Sequence, residues 1–341
     1  MNARVERKLR FLAAIIATGI IAGVVINFAQ GRTSPVQILT GACYGVLTCV
    51  ALGSIELFIF DGPLWDWLNR LSFLANLAVR SAVYAVVIIA IQLLQPGEII
   101  VGSPRETSLS VFWISVAYSA GVSVLLNLGF RIATLIGPRV FMNFVTGRYH
   151  FPVEENRFVL FVDIAGSTGL AERLGGVGIH RFLDRAFRLL THSVVDYRGE
   201  VLNYVGDEVI VTWREEAGMV DCRPLRCFAA MRDALQAAAP QFEREFGAVP
   251  QIRGSLHFGP VIVGEIGDVK PAIVFNGDVM NTAARLEELS RKVDGGFLAS
   301  RAAMARFKAS PPFPLSDLGT LPIRGRVDGI DVVGIGAAVT A

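Results

Sequence analysis

The chain has 341 residues, 52% of them hydrophobic, and a mean hydropathy of +0.50, too apolar for a water-soluble protein of this length. Thirty-two basic against 30 acidic residues leave a net charge of +2, and no basic run outside the N-terminus suggests nucleic-acid binding. The four cysteines, Cys43, Cys49, Cys222 and Cys227, form no CxxC pair, which fits a reducing compartment for the latter two.

Most of the apolar excess precedes residue 137. Four runs, about 11–29, 36–60, 72–94 and 109–130, are long enough to cross the hydrocarbon core as helices. Soluble core helices are the alternative for the last two, but four such runs joined by short polar loops leave little polar surface for water. Arg4, Arg7, Lys8 and Arg10 precede the first run as they would in a signal peptide, yet its apolar stretch is long for that role. Retaining all four spans puts both ends on one side. Positive charge assigns that side to the cytoplasm, with Arg70, Arg131, Arg139 and Arg148 inside and only Arg32 and Arg105 outside. A multi-pass protein of the inner (plasma) membrane follows, in contact with the lipid bilayer.

Within these spans Gly19 and Gly23, and likewise Gly41 and Gly45, form small-xxx-small patterns that permit close helix contact. Glu56 and Arg80 are the acid and base of spans two and three; they either pair or snorkel to the headgroups. Trp65 and Trp67 read as interfacial anchors. Cys43 and Cys49 lack the spacing of a metal site and read as small packing residues. No histidine precedes His150, so no haem is expected.

Residues 131–157 form a linker. Pro138 suits the first turn of a helix whose apolar positions share one face and end near Gly147, and Pro152 forces an extended approach to the next strand.

Beyond the linker the composition turns globular. In FVLFVDIAGSTGLAERLG, 158–175, apolar β-formers deliver Asp163 to the end of a buried strand, and a turn of small residues opens a helix whose unpaired N–H groups point back at that carboxylate. A carboxylate beside a helix N-terminus suits a phosphate with a divalent cation between them. In EVLNYVGDEVIVTW, 200–213, Gly206 and Asp207 make a tight hairpin turn with Asp207 at its tip. In GDVMNTAARLEELSR, 277–291, Asn281 and Arg285 are four apart and share a helix face, where an amide and a guanidinium can serve a ribose and a phosphate gaining charge.

In order, FVDIAGST, YVGDEV, GSLHFGPVIVGEIG, NGDVMNTAARLEE and LPIRGR resemble the catalytic domain of class III nucleotidyl cyclases, over residues 150 to about 338. The four apolar runs give a four-helix transmembrane domain, 1–130; the resemblance implies a transducer helix or linker, 131–157, and a cytoplasmic α/β cyclase domain, 158–338, with a ferredoxin-like or palm-type mixed sheet flanked by helices. It implies two Mg²⁺ or Mn²⁺ ions per site on Asp163, Asp207 and the Ile164 carbonyl, with the turn at Gly166, Ser167 and Thr168 near the phosphates. Asn281 and Arg285 match the pair that orients the ribose and stabilises the transition state. Arg324 or Arg326 matches a basic residue that holds the terminal phosphates. The chemistry is attack of the ribose 3′ oxygen on the α-phosphorus with pyrophosphate leaving. Family geometry places the aspartates of one subunit opposite the Asn and Arg of another, hence a homodimer.

The base-reading positions depart from the pattern. Cyclases that use ATP carry Lys four residues before the second metal Asp and Asp or Thr seven before the transition-state Asn; here these are Asn203 and Val274. Guanine-selective members carry an acid at the first position, which is also absent. The expectation is an adenylate cyclase making 3′,5′-cyclic AMP from ATP with modest discrimination against GTP, the base read partly by backbone around Ile273 to Asn276. A guanylate cyclase, a catalytically silent receptor or scaffold, and a transporter with an attached regulatory domain are the competing readings. Retention of Asp163, Asp207, Asn281 and Arg285 together speaks against silence, and the few polar residues in the spans speak against transport.

Overall fold

In a computed structural model the described residues are 3–56, 68, 71–102, 108–137, 143, 146–269, 272–323 and 329–335. They divide into two compact units between residues 146 and 147.

The first unit is helical: α1 (Ala3–Ala29), α2 (Pro35–Ser54), α3 (Phe73–Leu94) and α4 (Leu109–Ile136). Each contains a window long and apolar enough to cross a bilayer, at Leu12–Ala29, Pro35–Ser54, Phe73–Leu94 and Leu109–Gly129. Local chemistry sets where α2 begins. The Ser34 hydroxyl accepts from the Gln37 N–H, the Gln37 side chain accepts from the Ser34 N–H, and Pro35 occupies the first turn. The two glycine patterns face one another. A Cβ on Gly23 would overlap the Gly41 carbonyl oxygen and one on Gly45 the Gly19 carbonyl oxygen, so α1 and α2 pack backbone against backbone in antiparallel sense.

Glu56 and Arg80 pair rather than snorkel. Arg80 is fully buried, bonded to Glu56 and, at 2.8 Å, to the Asn76 Oδ1; the Tyr84 hydroxyl donates to the other Glu56 oxygen at 2.6 Å. Both charges are thus met inside the helix packing. The expected anchors Trp65 and Trp67 and the linker helix from Pro138 lie outside the described residues.

The second unit is a mixed sheet with helices on both faces. Its elements are β1 (Val153–Ile164), α5 (Ser167–Asp196), β2 (Glu200–Val205), β3 (Glu208–Arg214), α6 (Glu215–Met219), α7 (Arg223–Phe246), β4 (Ile252–Ile266), β5 (Ala272–Asn276), α8 (Asp278–Ser290), β6 (Phe297–Ser300), α9 (Arg301–Met304), β7 (Leu315–Leu321) and β8 (Ile330–Ile335). The strand order is β2-β3-β1-β4-β6-β8-β7, with β5 pairing β4 beyond β6; β4 and β6 are parallel and the other pairs antiparallel. α5 is broken at Gly175, whose φ of +70° is open to glycine and closed to most side chains.

Strand β1 is central and covered on both faces. Phe158, Leu160, Val162 and Ile164 join one core with Phe182, Ala186 and Leu190 of α5 and Leu225, Phe228 and Met231 of α7. Val159 and Phe161 join a second core with Val279 and Ala283 of α8. Strand alternation therefore assigns even-numbered residues to α5 and α7 and odd-numbered ones to α8.

At the N-terminal half of β1 the odd face carries Arg157, 1% exposed. Its guanidinium donates to Glu155 at 2.6 and 2.9 Å and to Glu200 at 3.1 Å, with the Tyr149 hydroxyl at 3.3 Å. Burial opposes the charge of Glu155, yet Arg157 and Arg214 hold its carboxyl below the usual range. Removing the cation would take the closest partner from buried Glu200 and leave Glu155 with the longer contacts to Arg214, at 3.5 Å, and Arg148, at 3.6 Å. Arg157→Leu is expected to destabilise this unit by about 3–5 kcal/mol, seen as faster hydrogen exchange of the β1 and β3 amides; unchanged exchange would show that the pair contributes little.

Candidate active site

Asp163 is the last odd-numbered residue of β1, so the alternation that aims Val159 and Phe161 at α8 aims a carboxylate there as well. It is 3% exposed. The antiparallel registers set Glu208 of β3 directly opposite it on one side and Arg253 of β4 on the other. From above, α8 and the residue that follows it contribute Glu287, 2% exposed, and Arg291. Arg291 bonds both oxygens of Glu287, at 3.2 and 3.4 Å, and reaches Asp163 at 3.6 Å, the same distance as Arg253.

Asp207 arrives by the hairpin. Val205 pairs with Glu208, leaving Gly206 and Asp207 as a two-residue turn, and Gly206 supplies the φ of +63° that its first position requires. The turn is tied to β1 by the Ile164 N–H, which donates to the Asp207 carbonyl at 3.2 Å. Its carboxylate accepts from the Ser167 hydroxyl at the start of α5. Gly166, at φ +75°, is the N-cap of that helix and makes no side-chain capping bond; the first backbone bond runs from Leu170 to the Gly166 carbonyl. Among the described residues the N–H groups of Ser167, Thr168 and Gly169 are thus left for an anion.

Asp207, tied through its carbonyl to the residue after Asp163, is one of three acids that act on the Asp163 carboxyl or its neighbour, with Glu208 and Glu287 the others. Burial pushes the Asp163 carboxyl up to about 7, with the charges of Asp207 and Glu287 adding to the shift and Arg291 opposing it. Burial likewise pushes Glu208 up to about 7, reinforced by Glu287, Asp163 and Asp207. This excess of negative charge is what a divalent cation would relieve. Among the described residues no three His, Cys, Asp or Glu side chains converge as metal ligands. The donors present are hard oxygens, Asp163 and Asp207 with the Ile164 carbonyl beside them, and such a set suits Mg²⁺ or Mn²⁺, which leave positions for substrate oxygens and water.

Glu208, Glu287, Arg253 and Arg291 were not among the residues expected from sequence. Glu287 carried a signal: it lies four residues after Ala283 on the buried stripe of α8, where an acid calls for a partner.

Asn281 is exposed and Arg285 half-buried, both on α8. Among the described residues neither bonds to Asp163 or Asp207. Arg291 touches Asp163, and Asn281 lies ten helical residues earlier, about 15 Å along the axis at 1.5 Å per residue. Asn281 is therefore set apart from Asp163 along the helix, while Arg285 lies six residues before Arg291, about 9 Å along the axis. Asn203 lies on β2 beside a register shift, and its side-chain oxygen accepts from the Tyr204 N–H at 2.9 Å. Val274 lies half-buried on β5 opposite Gly264, and β5 pairs with β4 alone among the described strands. Arg324 and Arg326 lie outside the described residues.

A family model for the adenylate and guanylate cyclase catalytic domain matches residues 152–331, which takes in β1 and every site residue named above. The chain belongs to this cyclase family. Adenylate cyclase 2 of Rhizobium meliloti (strain 1021) is 31% identical over 308 residues, 88% of this chain and 84% of that protein, so the likeness extends from the cyclase domain into the apolar helices. Adenylate cyclase 1 of the same organism is 28% identical over 196 residues, covering 53% of this chain and 28% of that one. Among solved structures a bacterial light-regulated adenylyl cyclase shares the fold, with a TM-score of 0.56 and 21% identity over 68% of this chain and 66% of that one.

The cyclase site predicts a pH dependence. Asp163 and Glu208 ionise near 7 when folded and near about 4 when unfolded, so between those values the folded state holds protons that the unfolded state has lost. Their contribution to stability is full below about 4 and is lost as pH rises through 7. In divalent-free buffer the melting temperature should fall from pH 5 to 8, less steeply in Asp163→Asn, and Mg²⁺ or Mn²⁺ at pH 8 should restore part of it. Equal slopes in mutant and wild type would refute the shared charge.

Proposed function

We propose that the protein is a membrane-bound adenylate cyclase that converts ATP to 3′,5′-cyclic AMP and pyrophosphate. The observation that carries the reading is the meeting of Asp163 and Asp207 at the end of a buried strand, beside the open N-terminus of α5. Asp163, Asp207 and the Ile164 carbonyl would hold two divalent cations, which when bound supply acidification of the ribose 3′-hydroxyl and neutralisation of the triphosphate. The Ser167, Thr168 and Gly169 N–H groups receive phosphate oxygens. Ser167, by donating to Asp207, fixes that carboxylate's orientation.

Asn281 orients the ribose and Arg285 stabilises charge developing on the α-phosphate. With about 15 Å of helix between Asn281 and the Asp163 contact, a nucleotide at the aspartates of one chain takes its Asn and Arg from another. This supports a homodimer with two equivalent sites. Arg324 or Arg326 grips the terminal phosphates. The four apolar helices anchor the enzyme in the inner membrane with both ends cytoplasmic, where the nucleotide is.

Asn203 supports ATP as substrate. A backbone N–H can only donate, so the atom facing Tyr204 is the carbonyl oxygen and the outward group is the NH₂. That donor suits the acceptor N1 of adenine. It gives guanine's N1–H and N2–H no acceptor, although guanine O6 can still take it, so discrimination is modest. Val274 only packs, and the outer edge of β5 offers backbone groups in its place.

Purified protein assayed with each nucleotide should give a higher kcat/KM for ATP than for GTP by a modest factor; a strong preference for GTP would overturn the assignment. Arg285→Ala should lower kcat by about 10² to 10³ with little change in nucleotide binding.

As homodimers Asp163→Ala should be inactive and Arg285→Ala should retain only its residual rate, while mixed subunits recover activity through one intact site. Demonstrated heterodimers without recovery would exclude shared sites.

A further inference from the structure

The helices of the first unit form an open-sided cavity of about 660 Å³ with walls from α1, α2, α3 and α4. Pockets that hold small organic ligands span roughly 300–1,000 Å³ and combine apolar walls with a few placed polar groups. This one has that character. Its wall is mainly apolar, with the glycine faces of α1 and α2 along one side.

Asn127 on α4 lines it. The residue is 5% exposed, and among the described residues neither the oxygen nor the nitrogen of its carboxamide has a hydrogen-bond partner. A buried amide left unpaired in an apolar wall is costly, and such groups in native proteins ordinarily have a partner. Ser123, one helical turn earlier on the same face, also lines the space. Tyr118, a further turn back, is held by its hydroxyl to the Ala22 carbonyl at 3.1 Å, which fixes α4 against α1 at that level.

Charge narrows the occupant. Three charged residues line the cavity: the two Glu56 oxygens are taken by Arg80 and Tyr84, and Arg32 and Glu98, of opposite sign, each have interactions of their own, so the wall presents no net charge to a ligand. A charged head would have nothing to neutralise it there. A carboxamide offers one acceptor oxygen and two donor hydrogens, so its best partner both donates and accepts. The length of apolar wall asks for hydrocarbon.

We propose that the cavity is a binding site for an uncharged single-chain or neutral-lipid amphiphile whose hydroxyl or amide head pairs with Asn127 and whose hydrocarbon tail lies along the α1–α2 wall. The site is separate from the nucleotide chemistry and does not depend on which nucleotide is cyclised.

The test uses the full chain in phosphatidylcholine nanodiscs and a dodecanol carrying a diazirine beside its hydroxyl, with adducts mapped by mass spectrometry. Adducts are expected on α4 between Ser119 and Asn127 and on the facing part of α1. Asn127→Leu should reduce them about threefold to tenfold, the affinity carried by one neutral hydrogen bond. A diazirine dodecane without the hydroxyl should label wild type and Asn127→Leu alike. Competition by unlabelled dodecanol identifies a freely exchanging ligand, and competition by dioleoylglycerol in the disc identifies a bilayer lipid; either supports the site, and competition by neither overturns it. Equal alcohol labelling of wild type and Asn127→Leu, or adducts confined to lipid-facing residues such as Leu74 and Val86, would also overturn it. Should Asn127→Leu fail to fold, Ser119→Phe decides by filling the space while keeping the amide. Its alcohol adducts should vanish from the cavity while those on the lipid face persist, and undiminished cavity labelling would reject the proposal.

Discussion

β1 is covered by α5 and α7 on one face and by α8 on the other, so its last odd-numbered side chain has to keep a carboxylate where almost no water reaches. Asp163 does so with Asp207, Glu208 and Glu287 close by and, among the described residues, Arg253 and Arg291 to offset them. A surplus of buried negative charge destabilises the unliganded fold and favours whatever brings positive charge in. The rest of the candidate site is arranged around that surplus. The hairpin turn delivers the second carboxylate, the Ile164 N–H ties the turn to the strand, and α5 begins beside it without a capping side chain, so that its N–H groups face outward.

The two ends of β1 handle buried charge in opposite ways. Around Arg157 the buried guanidinium is matched by two carboxylates and a phenol, with Arg214 on the phenol and on Glu155, so positive charge meets negative within the set. Around Asp163 the set is open. Both lie on the same face of one strand, six residues apart, so rigidity at the first is the support on which the second is held in position.

Much of this was legible before any coordinates. The four apolar runs are helices, and the glycine patterns on the first two meet as their spacing allowed. The strand ending at Asp163, the turn at Gly206 and Asp207, and the helix bearing Asn281 and Arg285 stand where local periodicity put them, because each depends on residues near in sequence. What local pattern could not carry was register. That Glu208 faces Asp163, and that Arg253 flanks it, depends on how strands distant in the chain slide past one another. In VGDEV, Glu208 reads as an ordinary strand residue. Local pattern cannot choose for Glu56 and Arg80 for the same reason, since only packing decides between a partner and the headgroups.

The contact between α1 and α2 carries an evolutionary consequence. Gly19, Gly23, Gly41 and Gly45 bring two backbones together with no side chain between them. Every other amino acid carries a Cβ, so every mutation of a glycine codon that changes the residue adds an atom where none fits, and no compensating trim exists on the partner helix because it is already glycine. The four positions can change only by moving the helices apart together. The exposed residues of the same helix, such as Ile21 and Val25, are not held in that contact and are free to drift among apolar types. Within α1, then, adjacent residues belong to two different evolutionary clocks, one held by geometry and the other by hydrophobicity alone.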